Sequence, residues 1–583
     1  MRNPSPAIIA LILNLAAGPA FCEIPRGSVP PEAMHGPVGQ VPGDARPPFG
    51  PLAPPPGDEI VCPAEFCRAD GVFLTYETEW GSTQILMDIA CEIAEDDTVY
   101  MFVKNSSEMN EARNLLIANG ANIDQVRFVY YSQLSENCIW VRDYGPTCIY
   151  EDGAKAVVDF WYPFTSDDNV PIAVGAEFGL PVYTNNLLFS GGNLMTDGNG
   201  MGFATSIVYA YNPSMTQAEV RQLFRDYCGL DSLVVLPILD VENTKHIDVF
   251  CKLVNDTIFL VGEYASPGDG AGNNYSILND IAAQLDTVQN LDGRDFDVVR
   301  IPMPPWEPGG SVGVTRTYTN SLISNHKVLV PVYGIEMDST ATEIYRTLCP
   351  DHEVIGIDSE QIIHRAGAVH CITCPHHSDN PLVVFHQELD SLAYAAEPAI
   401  AFTLSPKFTH TTASVFYRPL SQGEFTETAA MCDGGVWRTV LPPMTDDFHY
   451  YLAATATSGA VALDVSLPSA APEDLFFVDV EEGTAVADAG GANLAGPGLG
   501  CTPNPFRTST DIHFAVPEDS PARVTIYSIL GRTIRAFSAA GPGPHCVTWD
   551  GRDDAGRPVA TGVYLCRLET PAHSKTIKIV LLR

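Results

Sequence analysis

Apolar and polar positions follow two regimes along this chain. Up to about residue 381, apolar runs of strand length alternate with segments of helical period. Val72-Phe73-Leu74-Thr75-Tyr76, Thr98 to Val103 and Val126 to Tyr130 read as strands. Gln84 to Ile93 and Asn110 to Asn119 carry the spacing of amphipathic helices, the second closing at Gly120. The alternation continues with Ser232 to Pro237, Val249 to Val261 around a turn at Asn255-Asp256, and a helix from Ser276 to Ala283. It ends with Val298 to Pro302, Tyr318 to Val332 around Asn325, and a helix from Ser339 to Leu348. Strand-rich units with one helix each, recurring every sixty or so residues, predict a repeated ββαβ architecture of the α/β class. After Asp379 the helical period disappears. Leu382 to Phe385, Ala399 to Leu404, Ala413 to Tyr417 and Tyr450 to Ala454 are β-rich, as in a sandwich. Ala522 to Tyr527, Cys546 to Trp549 and Gly562 to Cys566 predict a further small β region.

These patterns divide the chain into a leader (1–20), a Pro/Gly-rich linker (21–57), an α/β region (58–381), a β region (382–486), a Gly/Ala linker (487–502) and a last β region (503–583). In the leader, Arg2 precedes an apolar run from Ala7 to Ala17, and Gly18-Pro19-Ala20 has the small residues of a cleavage site. The run is short for a membrane span, so removal after export is expected and stable membrane insertion is not.

Composition narrows the function. The formal net charge of −39, with no stripe of Lys and Arg, argues against nucleic acid. An acidic field draws in cationic substrates, or simply keeps an exported protein soluble. Fifteen cysteines in an exported chain imply disulfides, with Cys62–Cys67 and Cys546–Cys566 as local candidates. An odd total leaves at least one thiol unpaired. Cys371-Ile372-Thr373-Cys374 has redox spacing and is followed by His376 and His377. It lacks both the strand–helix setting of a redox site and a second ligand pair for zinc, so no metal or cofactor is expected.

The candidate chemistry centres on Ala366-Gly367-Ala368-Val369-His370-Cys371-Ile372-Thr373, where small residues would let backbone and substrate approach a cysteine. Three upstream segments complement it: Trp140-Val141-Arg142-Asp143-Tyr144-Gly145-Pro146, Gly191-Gly192-Asn193 and His246-Ile247-Asp248. If they converge, Asp143 and Asp248 give two carboxylates, His246 a general acid and base, and Cys371 a nucleophile. Two carboxylates without a metal suit a flat cation with forked N–H donors. Each piece also has a structural reading. Asp143 could pair with Arg142 to close a turn, His246 and Asp248 could be a bonded pair on one face of a strand, and Gly191-Gly192-Asn193 could be a tight turn.

Taken together, these segments, with Asp197-Gly198 and Asn320-Ser321-Leu322-Ile323, resemble the bacterial peptidylarginine deiminase and agmatine deiminase family over about Ala64 to Pro381. The resemblance implies a five-bladed α/β propeller of ββαβ units and metal-free hydrolysis of a guanidino group to a ureido group and ammonia. It implies that Cys371 attacks the guanidinium carbon, His246 is acid and base, Asp143 and Asp248 grip the nitrogens, and Asn320 stands near the nucleophile. Trp140 would pack along the substrate's aliphatic stem, with Arg142, Gly191, Gly192 and Asn193 completing the substrate-binding set. The chain departs from the family twice. Phe160 to Asp168 lacks the arginines that would meet a substrate carboxylate, and Ala366-Gly367-Ala368-Val369 replaces the glycine-rich run usual in agmatine deiminases.

Asn504-Pro505-Phe506, Ile526-Tyr527, Leu530-Gly531-Arg532, Trp549-Asp550-Gly551 and Gly562-Val563-Tyr564 resemble a type IX secretion sorting domain or the related immunoglobulin-like domain of hook-capping proteins. Phe448 to Ala454 resembles the immunoglobulin-like domain that follows secreted peptidylarginine deiminases. The sequence therefore reads as a secreted or surface enzyme converting arginine in peptides or proteins to citrulline and handed to secretion machinery by its last domain. The alternatives are a deiminase of agmatine or another small guanidino compound, tied to putrescine biosynthesis, and a non-catalytic surface adhesin.

Overall fold

The computed structural model describes residues 53–583 apart from 79–81, 136–137, 163–165, 309–312, 390, 482–498 and scattered positions after 502. The leader, most of both linkers and the motif residues Asn504, Pro505 and Leu530-Gly531-Arg532 lie outside the described residues.

Between Ile60 and His377 the strands form five separate sheets of three or four strands. One rule builds them all. A short strand pairs antiparallel with the next strand, and the chain then crosses through a helix to a third strand, parallel to the second. Thr147–Glu151, Ala154–Trp161, helix Val170–Phe178 and Val182–Leu188 make one unit. Met195–Thr196, Met201–Thr205, helix Gln217–Cys228 and Ser232–Leu236 make the next. Cys251–Leu253, Ile258–Glu263, helix Asn274–Leu285 and Asp297–Pro302 follow. Then come Leu322–Ser324, Lys327–Val332, helix Met337–Leu348 and Glu353–Asp358. The fifth unit joins the two ends of the region. Cys374–His377 pairs antiparallel with Ala69–Thr75, which runs parallel to Thr98–Val103 across helix Thr83–Ile93. This closure ties the segment carrying Cys371 to a strand three hundred residues earlier in the chain.

Local chemistry explains the helix ends. Asn105 caps Ser106–Ala118 by accepting from the Ser107 and Glu108 amides, which starts that helix a turn ahead of the Asn110 expected from the apolar period. Thr216 and Glu219 form a reciprocal capping box on Gln217–Cys228, and Gly229 ends it in the left-handed conformation. A β-carbon at Gly229 would lie 1.9 Å from the Ile60 carbonyl oxygen, so glycine there also admits the first strand.

Past the α/β region, Val383–His386, Ala399–Ser405, Val436–Val440 and Met431–Asp433 form one sheet. A larger sheet is built on His410–Pro419, Phe448–Ser458 and Phe476–Glu481. Both contribute to one apolar core containing Phe402, Leu404, Val415, Phe448, Tyr450 and Val478. The last strands pack around Trp549, Ile512, Val524 and Ile579. The expected linker ends early, because Leu499–Thr502 is a strand paired with Thr510–Val516.

The fourteen cysteines among the described residues are free thiols, so neither Cys62–Cys67 nor Cys546–Cys566 is a disulfide. Cys67 instead lies 3.8 Å from the Ser405 hydroxyl, and Cys546 and Cys566 sit on strands of different sheets. No helix among the described residues is long and apolar enough to cross a membrane.

Candidate active site

In each of the five units a tight turn stands just ahead of the first strand. Val141–Tyr144 precedes Thr147, Gly191–Asn193 precedes Met195, Ile247–Val249 precedes Cys251, and His370–Ile372 precedes Cys374. Ahead of Leu322 the turn is held by the Thr319 amide donating to the Thr317 hydroxyl. These turns carry Asp143, Gly192, Asn193, Asp248, Asn320 and Cys371. The structural alternative for His246 and Asp248 was a bonded pair on one face of a strand. They instead bracket the start of a single 3-10 turn, after Lys245 in the left-handed region at φ 61°. The Lys245 ammonium holds that conformation by donating to the Leu239 and Asp240 carbonyls, 2.7 and 2.9 Å away.

The turns converge. The Cys371 thiol lies 3.6 Å from Asp248 Oδ2 and accepts from Asn320 Nδ2 at 3.3 Å. Asn320 Oδ1 in turn accepts from the Ala368 and Cys371 amides, at 3.1 and 3.4 Å. Asp143 Oδ1 stands 3.5 Å from His246 Nδ1. A β-carbon on Gly192 would meet Asp143 Oδ1, His246 Nδ1 and Asp248 Oδ2 at 2.9, 2.9 and 3.1 Å, so only glycine leaves these three groups around one space. Asn193 Oδ1 accepts from the Thr205 and Ile247 amides and so ties the second turn to the third. Asp143 Oδ1, Asp248 Oδ1 and both His246 ring nitrogens are buried without a hydrogen-bond partner.

Burial and charge divide the group. Burial, then the facing Asp248, pushes the Asp143 carboxyl well above its ordinary range. Burial works the same way on Asp248, but the His370 hydrogen bond and charge override it and hold this carboxyl below the usual range. Burial lowers His246 to about 4, so it rests neutral and ready to accept a proton. Burial, then Asp248 and Asp143, pushes the Cys371 thiol well up. Among the described residues, no three His, Cys, Asp or Glu side chains are gathered as metal ligands.

The sequence signature of the Porphyromonas-type peptidyl-arginine deiminase family matches residues 61–376. The chain belongs to this family. It is therefore a deiminase of guanidino groups, a hydrolase acting on C–N bonds. It is 26% identical over 322 residues to the agmatine deiminase of Pseudomonas savastanoi pv. phaseolicola, a match covering 49% of this chain and 84% of that one. Its fold is similar to that of the agmatine deiminase of Enterococcus faecalis, with a TM-score of 0.51, 20% identity, and coverage of 57% of this chain and 100% of the other. A Porphyromonas gingivalis structure provisionally described as an arginine deiminase matches with TM-score 0.50 and 22% identity, covering 55% and 99%.

Two residues of the expected substrate-binding set are committed elsewhere in the deiminase. Arg142 pairs with Glu65 at 2.9 Å, and its Nε donates to the His370 carbonyl at 3.3 Å. Trp140 is fully buried, and a β-carbon at Gly367 would lie 2.2 Å from its ring, so the indole backs the loop that carries Cys371. The sequence reading missed Glu65, Lys252 and His370. Glu65 accepts from Lys252, from Arg142, from the Ile323 amide at 2.9 Å and from His370 Nε2 at 2.7 Å, while His370 Nδ1 lies 2.7 Å from Asp248 Oδ2. The one sequence signal for Glu65 is an acid among small and apolar residues in Cys62-Pro63-Ala64-Glu65-Phe66-Cys67. His376 and His377, weighed as metal ligands, are buried, and the His376 ring packs against Phe73, Tyr100 and Phe178.

Proposed function

We propose that the deiminase acts on a small guanidino compound with a positively charged tail, of which agmatine is the type. The observation that carries this reading is a narrow cavity bordered by Asn320 and by the Ala366-Gly367-Ala368 loop that leads to Cys371. Glu242, Asn243, Thr315, Thr317, Asn320 and Gly367 are among its lining residues, and no Lys or Arg is among the described ones. The nearby Arg316 is engaged by Glu307 and Glu360, so it is not presented to a substrate carboxylate. The Glu242 carboxylate is itself held by Thr244 and the Lys245 amide, so the reading rests on the lack of a cation facing this space for the carboxylate of free or C-terminal arginine.

In this reading Cys371 is the nucleophile, His246 the acid and base, Asp143 and Asp248 the guanidinium clamp, and Asn320 the donor that steadies the sulfur. The thiol proton passes to His246 as sulfur bonds to the guanidinium carbon. His246 then protonates the departing amine, which leaves as ammonia and gives an amidino-thioether cation. Water adds to that carbon as His246 takes its proton, and the carbon–sulfur bond breaks to give the ureido product and restore the thiol. The buried, unpartnered oxygens of Asp143 and Asp248 support this role, because a guanidinium supplies the N–H donors they lack. We propose further that the five units surround one axis as a pseudo-symmetric propeller with this site at its centre.

A second reading, deimination of arginine in peptides or proteins outside the cell, is favoured by the β-rich residues beyond the part matched by the family signature. It carries with it the leader, the immunoglobulin-like assignment of 382–486 and the sorting role of 503–583. Ammonia release from agmatine, free arginine and blocked arginine peptides, measured side by side, tests both. Preference for agmatine, lost in Cys371→Ala, is expected. Turnover of peptides alone would overturn the small-substrate reading, and a folded protein inert on all three would favour a non-catalytic adhesin.

A further inference from the structure

The reaction scheme uses neither His370 nor Glu65, yet the two form the most heavily bonded charged assembly next to the site. His370 is 3% exposed, and each ring nitrogen lies 2.7 Å from a carboxylate oxygen, Nε2 from Glu65 and Nδ1 from Asp248. A carboxylate oxygen accepts, so both nitrogens must donate and the ring is an imidazolium. Glu65 is itself fixed from three other directions, by Lys252, Arg142 and the Ile323 amide. A cavity of about 90 Å³ is lined by His370 together with Glu65, Arg142, Lys252, Cys374 and His377. The assembly thus borders this cavity while its ring reaches Asp248.

We propose that His370 is a positioning residue for the reaction at Cys371, with Glu65 as its anchor: the clamped ring fixes the orientation and the negative charge of Asp248. Asp248 faces His370, Cys371, His246, Asp143, Arg142 and Lys252, and of these His370 makes the shortest polar contact recorded, at 2.7 Å. Two buried carboxylates around one small space would otherwise share a proton indifferently. The imidazolium makes them unequal. Asp248 remains the anion while Asp143 is pushed toward its neutral form, in keeping with the opposite directions in which burial and charge move the two. Glu65 stays ionised against its burial because Lys252, His370 and Arg142 surround it, so the ring is held by an anion at each end.

The activity readout rests on the deiminase reading, so the test has two arms. In His370→Asn, and in His370→Gln should the asparagine variant not fold, Asp248 loses its adjoining cation and its carboxyl rises. The acid limb of the kcat/KM profile then moves to higher pH, and kcat falls about tenfold to a hundredfold, as for outer partners that orient a reacting group. Glu65→Gln keeps an acceptor for the ring and lowers kcat with KM unchanged. The second arm needs no turnover. While Asp248 stays ionised, loss of the His370 ring leaves its charge uncompensated against the sulfur, so iodoacetamide modification of the Cys371 peptide at pH 8 to 9, read by mass spectrometry, slows in the His370 variant. A wild type inert on every guanidino compound would count against the proposed function, and the alkylation arm would still decide the positioning role. Movement of either readout in the stated direction supports the proposal. Folded His370 variants whose acid limb and alkylation rate match wild type, or move the other way, overturn it.

Discussion

Alanine at Gly192 perturbs the site with a single methyl group. Its β-carbon would lie 2.9 Å from both Asp143 Oδ1 and His246 Nδ1, and 3.1 Å from Asp248 Oδ2. Favourable contact begins near ~3.5 Å, so the methyl overlaps all three atoms by roughly 0.4 to 0.6 Å. None of the three can retreat freely. His370 holds Asp248 at 2.7 Å, and the second and third turns are tied together by Asn193. Overpacking of this kind destabilises by about 1 to 3 kcal/mol, and the fold should survive with Tm lowered by a few degrees. Chemistry is less forgiving. A displacement of about 1 Å in a reacting constellation lowers the rate roughly a hundredfold, so half that shift in three groups at once lowers kcat/KM by about ten- to a hundredfold. Ammonia release and a thermal melt on the same preparation check both numbers. Gly191→Ala is the contrasting control, because its β-carbon would lie 2.2 Å from the Arg142 carbonyl oxygen, and its damage should appear first in stability. A folded Gly192→Ala protein with kcat/KM within about twofold of wild type would refute the idea that these three groups share one space.

Three further outcomes are expected. Asn320→Asp keeps the acceptor for the Ala368 and Cys371 amides but places an anion 3.3 Å from the sulfur, so Cys371 alkylation and turnover should both slow relative to wild type. Gly367→Ala drives a methyl into the Trp140 ring at 2.2 Å and should lower both Tm and kcat, whereas Gly423→Ala, with no atom within 4 Å, should change neither. Burial holds His377 at about 3, far below its unfolded value near 6.5, so its contribution to stability is complete above that value and is lost as pH falls toward 3. The Tm of His377→Gln should therefore gain on wild type as pH drops from about 6.5 to 4, and a constant difference across that window would contradict the buried neutral ring.

The sequence made some elements plain and concealed others, for identifiable reasons. Thr98–Val103 and Val126–Tyr130 were legible to the residue because each is bounded by turn chemistry and rich in β-branched and aromatic side chains. Asp143, His246, Asp248, Asn320 and Cys371 were legible as a set because each stands in a short recognisable segment. Their placement was not legible. A turn of three or four residues has no period, so nothing local marks His246-Ile247-Asp248 as a turn ahead of the following strand. Glu65 and His370 were hidden for another reason. Every partner of Glu65 lies between 77 and 305 residues away, and pairings over such distances leave no local trace. The disulfide expectation failed because spacing in sequence reports neither strand orientation nor which sheet a cysteine joins.

The arrangement of charge links recognition to activation. Before a cation arrives, burial and the two carboxylates oppose ionisation of Cys371, so the resting sulfur is a poor nucleophile. In the proposed reaction, a guanidinium seated against Asp143 and Asp248 neutralises the repulsion those carboxylates exert on the sulfur and adds attraction of its own. Neutral His246 then stands ready to take the released proton. A neutral or anionic molecule of the same size would leave the thiol protonated, so the proposed clamp would exclude wrong substrates by failing to switch on the nucleophile as well as by binding them weakly. For this to work, one carboxylate must remain an anion in a site that disfavours charge, and the second must be free to share its proton. The bonds from Lys252 and Arg142 through Glu65 and His370 to Asp248 meet that requirement from behind, with no group added where the substrate would bind.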